Sequence, residues 1–191
     1  MTVPTAQEKV PHYAHPAAWP DELLLRDCAF GQDRTSGPGG QHRNKVETKV
    51  VLTHEPTGLS AHAGERREMM QNKRVALRRL RLTLATEHRV GVPDGEIGSA
   101  LWLSRITRKR GPEGKVIARI ACSADHHDFP SMLAEALDVI AAAKWDHTRA
   151  ALRLQTSGSQ LLKLVAKHPP ALAAMNAERE KRGMRPLKVK V

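Results

Sequence analysis

The run Thr35-Ser36-Gly37-Pro38-Gly39-Gly40-Gln41-His42-Arg43-Asn44-Lys45 restricts this chain more than any other stretch of it. Glycines at 37, 39 and 40 permit positive φ and remove Cβ atoms, so the backbone can bring its own amides against a ligand. Pro38 stiffens the approach, and Ser36, Gly37 and Pro38 together shape the entry to the turn. A segment of this composition cannot continue a helix or a central strand, and it reads as a loop at a strand end. Arg43 and Lys45 directly behind it imply that whatever approaches the amides is negatively charged.

The charge distribution agrees. The 191 residues carry a formal charge of +11, a balance for which nucleic acid is the commonest partner. Residues 1–33 hold two Lys/Arg against five acids, residues 34–89 twelve against five, and the remainder seventeen against ten. The 56 residues from 34 to 89, which carry or follow the loop, therefore hold +7 of the excess. With 40% hydrophobic residues, a chain of this length is expected to bury two small cores. Cys28 and Cys122 stand among apolar neighbours without CxxC spacing and are expected as buried, reduced thiols. No charged-then-apolar leader and no 18-residue apolar run is found, which predicts a cytoplasmic protein with no membrane contact.

Residues 1–19 show no periodicity and read as a flexible arm. A short helical pattern follows Trp19-Pro20-Asp21, and residues 27–34 run extended into the glycine loop. After the loop, residues 48–53 have the β-branched content of a strand, Glu55-Pro56-Thr57-Gly58 has turn chemistry, and residues 59–63 form the return strand. From 64 to about 89 the period becomes helical. Met70, Leu77, Leu80 and Leu84 make the stripe expected to pack on the sheet, and Arg67, Arg74, Arg78 and Arg81 make a neighbouring stripe. Eight Lys/Arg against three acids here, beside the loop, favour phosphate contact, with Arg43, Lys45, Arg67, Lys73, Arg74, Arg78 and Arg81 as the RNA-binding set.

Residues 102–108 and 115–122 alternate around Gly111-Pro112-Glu113-Gly114 and predict a basic hairpin. Asp125-His126-His127-Asp128 has no second cluster at ligand spacing, so it reads as a solvated linker, with no metal and no cofactor expected. Four helices follow, over 130–143, 146–154, 157–166 and from Pro169-Pro170 to Gly183. The fold class is α+β: a small mixed or antiparallel sheet with the glycine loop and a long packed helix, then a hairpin, then a helical region. The expected units are 1–19, 20–124 and 125–191.

Ser36 to Lys45, then Thr48-Lys49-Val50, Thr53-His54-Glu55-Pro56-Thr57-Gly58, Asn72-Lys73 and Ala76-Leu77 closely resemble the catalytic domain of bacterial-type peptide chain release factors. The block over 65–71 follows that pattern more loosely. The resemblance implies a ribosome-dependent reaction, hydrolysis of the ester joining nascent peptide to tRNA in the peptidyl transferase centre. It assigns Gly39 and Gly40 to the backbone shape and Gln41 to the catalytic position, with large-subunit rRNA and peptidyl-tRNA as partners of a monomer. A glutamine methyltransferase joins the expected partners because relatives carry a methylated glutamine there.

Nothing in the chain matches a codon-reading motif, so the likeness is nearest to the codon-independent relatives that rescue stalled ribosomes. Those carry a long Lys/Arg-rich tail, whereas residues 181–191 hold five cations. The helical region, around Leu133, Ala136 and Leu137, Ala150, Ala151 and Leu154, and Ser157, Gln160 and Leu161, resembles the helix-turn-helix of factor-for-inversion-stimulation type proteins as closely as it resembles a plain three-helix bundle. Gln155 stands where that turn has glycine, and Gly158 enters the second helix. An alternative function follows from this half: a non-catalytic nucleic-acid-binding regulator that retains the release-factor fold and uses Lys163.

Overall fold

A computed structural model describes residues 15–33, 48–95, 97–110 and 116–189. Its first unit is a three-stranded antiparallel sheet, β1 (Cys28–Asp33), β2 (Lys49–His54) and β3 (Leu59–Ala63), in the order β1-β2-β3. Strict alternation sends Val50, Leu52 and His54 of β2 to the buried face. The β2–β3 turn works because Gly58 takes φ +70, which strains an L side chain, and its N–H returns to the His54 carbonyl at 2.8 Å.

Helix α2 (Met69–Glu87) lies across this sheet and buries Ala76, Leu77, Leu80 and Leu84 against β2 and β3. It differs from the sequence expectation at its start. Residues 64–68 are not helical, because the buried Asn72 side chain bonds both backbone groups of Arg66 and holds that segment as a loop. Arg67 therefore precedes the helix. Met70 was expected on the packed stripe but is 59% exposed, since burial of α2 begins only at Asn72.

Two further elements frame the sheet. Pro16–Ala18 forms a 3-10 turn capped by His15, whose Nδ1 accepts from the Ala17 N–H, and α1 (Asp21–Arg26) leads into β1. Pro16–Ala18, at the end of the expected arm, is thus in contact with α2 and with the helix over Phe129–Ala142, and Ala17 is buried.

The hairpin is β4 (Ile106–Arg110) and β5 (Val116–Ile120), a separate two-stranded sheet. The strand expected to begin at 102 starts later, because residues 100–104 form helix α3 (Ala100–Ser104). Ser99 caps it by accepting from the Trp102 N–H, while Glu135 accepts from both the N–H and the hydroxyl of Ser99 at 2.6 Å. Trp102 is fully buried and its indole N–H donates to the Leu154 carbonyl at 3.0 Å.

Helices α4 (Phe129–Ala142), α5 (His147–Arg153), α6 (Gly158–Ala166) and α7 (Pro169–Glu180) complete the chain. Their boundaries follow local chemistry: Asp146 and Ser157 cap α5 and α6, prolines open α7, and Gly183 takes φ +68 beyond its end. The apolar residues of α4 read as one side, yet every residue from 132 to 140 is buried, because α2 covers one flank and α5 and α6 the other. Consequently, among the described residues, the buried apolar side chains form one cluster from Ala17 to Met175, not two separate cores. No described helix is long and apolar enough to cross a membrane.

Burial makes the fold acid-sensitive. Desolvation, helped by the charges of Arg89 and His88, lowers the His15 pKa to about 3 from an ordinary 6.5. The unfolded chain then takes up a proton that the folded chain refuses, so stability falls as pH drops from 6.5 towards 3, by about 2 kcal/mol at pH 5. His54, His147 and His168, also lowered by burial, act in the same direction, whereas buried Glu135, raised by desolvation, opposes them above its ordinary value. His15→Asn keeps a capping acceptor without the titration. Melting temperatures between pH 7 and 5 are expected to fall less steeply for this variant than for the parent chain.

Candidate nucleic-acid interface

Ser36, Gly37, Pro38, Gly39, Gly40, Gln41, Arg43 and Lys45 lie outside the described residues, but the frame of their loop is defined. β1 ends at Asp33 and β2 begins at Lys49, and these two residues are register partners. The loop therefore leaves and re-enters the sheet between adjacent, hydrogen-bonded strand ends.

Asn72 ties this frame to the helix. Its Nδ2 donates to the Thr48 carbonyl at 2.6 Å and to the Arg66 carbonyl at 2.9 Å, and its Oδ1 accepts from the Arg66 N–H at 2.9 Å. One fully buried amide thus joins the return end of the glycine loop to the entry of α2. Asn72 was quoted in the family pattern but not picked out as a site residue; its place immediately before Lys73 in that block was the available signal.

The basic residues divide by what they touch. Arg67 and Arg74 are exposed, and Lys73 places its ammonium 5.9 Å from the centre of the Phe30 ring. Arg78 donates to the carbonyls of Ala124 and His126, and Arg81 donates to the Ala17 carbonyl at 2.8 Å and pairs with Asp21 at 2.6 Å. These two arginines tie α2 to its neighbours, while also lining an open groove of about 490 Å³ with Arg74, Trp19 and His127. Arg79, outside the predicted set, donates to the His62 carbonyl and pairs with Glu65, whose carboxyl this contact lowers.

The His126, His127 and Asp128 ligand atoms lie within 4.8 Å of one another. They shape the start of α4: His126 Nδ1 accepts from the Asp128 N–H, and the Asp128 carboxylate binds Arg105. Cys122 is buried as expected, but Cys28 is only half-buried and donates its thiol to the Leu24 carbonyl at 3.1 Å; burial raises both thiols. In the helical half, Gln155 adopts φ +53 in the turn between α5 and α6 and accepts from Arg108 at 2.7 Å. Lys163 is exposed, whereas Lys167 donates to the Cys122 carbonyl.

The strand ends that carry the glycine run are thus paired with each other and joined to the entry of the basic helix α2 through the buried Asn72 amide. Residues 25–93 match the RF-1 domain family model. Through this segment the chain is similar to the catalytic domain of peptide chain release factors. It is 42% identical over 64 residues to peptide chain release factor 1 of Symbiobacterium thermophilum, covering 34% of this chain and 18% of that protein. It is 32% identical over 132 residues to the chloroplastic peptide chain release factor PrfB1 of Arabidopsis thaliana, covering 66% and 29%. Against peptide chain release factor 1 of Xylella fastidiosa the identity is 30% over 119 residues, covering 59% and 33%. The chain thus spans between about a fifth and a third of the length of these relatives.

Proposed function

We propose that this protein promotes hydrolysis of the peptidyl-tRNA ester on the ribosome without reading a stop codon. The observation that carries the reading is the Gly39-Gly40-Gln41 motif, set within the matched domain between the paired ends of β1 and β2. Water is a sufficient nucleophile for an ester if it is held in line and the developing oxyanion meets a donor. The N–H of Gln41 serves as that donor, and its side chain orients or selects the water. A neutral amide is no strong base, so the remaining catalysis comes from rRNA and tRNA, and no activity off the ribosome is expected.

Arg43, Lys45, Arg67, Lys73 and Arg74 supply the phosphate contacts of this reading; Arg78 and Arg81 hold the helix in place and line the adjacent groove. Residues 125–191 act as a docking unit that decides which ribosomes are engaged.

Peptide release from purified ribosomes stalled on mRNAs with and without sequence beyond the P site tests the reading. Release with no stop codon in the A site, and none from free peptidyl-tRNA, is expected. Release confined to stop-codon complexes would overturn codon independence, and none on any complex would overturn the activity.

A second reading, a nucleic-acid-binding regulator working through α5 and α6, draws on the left-handed turn at Gln155, the geometry for which a helix-turn-helix uses glycine. It predicts that Lys163→Ala abolishes nucleic-acid binding while Gln41→Ala leaves function intact. The opposite pattern is expected here.

A further inference from the structure

Among the described residues, five large apolar side chains are exposed, and three of them, Phe30, Met69 and Met70, gather where β1 passes the first turn of α2. Phe30 pairs with Leu52, itself opposite Ala61, and so belongs to the face of the sheet that α2 covers. It lies on the edge strand, however, and remains 45% exposed, as Met69 is at 37% and Met70 at 59%. Local contacts hold the patch together: Gln32 Nε2 donates to the Met69 sulfur at 3.2 Å, and Lys73 stands over the Phe30 ring. On the helix surface Met70 neighbours Lys73 and Arg74, at three and four residues' spacing.

We propose that this patch is a stacking platform for an unpaired RNA nucleotide, placed at the foot of the glycine loop. The inference rests on the ribosomal reading above and adds to it an apolar contact that no basic residue supplies. An aromatic ring and two polarizable thioethers accept the π-face of any base on the open side of the ring, while Lys73, 5.9 Å over its other side, is in reach of the phosphate of the same nucleotide. Charge complementarity selects RNA over a protein surface. Arg66, Arg67 and Arg74 are exposed around the patch, while the acids nearby are engaged, Glu65 by Arg79 and Glu68 by Gln71. Only two residues separate Phe30 from Asp33 at the end of β1, so a base seated here lies beside the strand from which the loop departs.

Phe30→Ala, Met70→Ala and the conservative Phe30→Tyr are to be measured for affinity by co-sedimentation with stalled 70S ribosomes, and for single-turnover release at saturation. Either alanine variant is expected to weaken affinity by roughly tenfold, the loss of one stacked base, with saturated release unchanged, while Phe30→Tyr binds as the parent does. Met70, being mostly exposed, serves as the variant that does not threaten folding. A photocrosslinking residue at position 70 is expected to join rRNA or tRNA. Unchanged affinity in Met70→Ala, or crosslinks only to ribosomal protein or to a second copy of this chain, would overturn the platform. Because sedimentation requires no catalysis, a chain that binds through the patch but releases nothing would count against the proposed function and not against the platform.

Discussion

Gln41→Ala is expected to lower peptide release from stalled ribosomes by roughly 100-fold with ribosome affinity unchanged, because the backbone N–H donor stays while the side chain that positions the water is lost. The side chain is absent from the proposed phosphate contacts, so the loss falls on the rate at saturation and not on binding. Gly40→Ala is expected to act similarly by another route, since a Cβ there restricts the backbone that aims the Gln41 amide. Single-turnover release at saturating protein, paired with sedimentation, separates the two quantities. Normal release by either variant would refute the assignment of this loop.

Asn72→Ala is expected to cost about 3 kcal/mol, because the buried amide makes three part-buried hydrogen bonds to the backbone of Thr48 and Arg66, each worth about 1 kcal/mol. For a chain of this size that corresponds to a fall of roughly 6–12 °C in melting temperature. Release should drop further than unfolding alone explains, since Thr48 and the segment around Arg66 are no longer joined across the base of the loop. Asn72→Asp provides the control. It preserves an acceptor for the Arg66 N–H but sets a carboxylate against the carbonyls of Thr48 and Arg66, so it should be no better than alanine. Thermal melts of both variants at one pH decide the matter, and a change under 2 °C would show that the clamp contributes little.

Elements with strong local signals were legible before any coordinates. β2 and β3 follow from alternation and from a turn whose glycine is needed at positive φ; α5, α6 and α7 follow from Asp146, Ser157 and Pro169-Pro170. Two of the misread boundaries lie where a side chain from outside the segment overrides its local periodicity. Residues 64–68 have helical periodicity but are held open by Asn72, and Trp102 looked like the start of a strand until Glu135, 36 residues from Ser99, fixed a helical turn there. The buried carboxylates of α4 had no sequence signal at all. Asp138 accepts from the Arg89 side chain at 3.1 Å and the Val90 N–H at 3.3 Å, which pins the connector after α2 to the helical half. The charge stripe of α2 was similarly legible as a stripe, while its division into free and engaged arginines was not.

The glycine run, by itself, carried the resemblance to release factors and the candidate chemistry, because a backbone that brings its amides close to a ligand tolerates few sequences, and those few are readable without coordinates. The tertiary structure alone decided how that run is mounted. The buried amide of Asn72 at its foot, the exposed ring and thioethers beside it, and the single core joining α2 to α4 all depend on side chains brought together from distant parts of the chain. Local sequence carries no information about such encounters, since burial and hydrogen-bond partnership belong to the packed molecule and not to the residue.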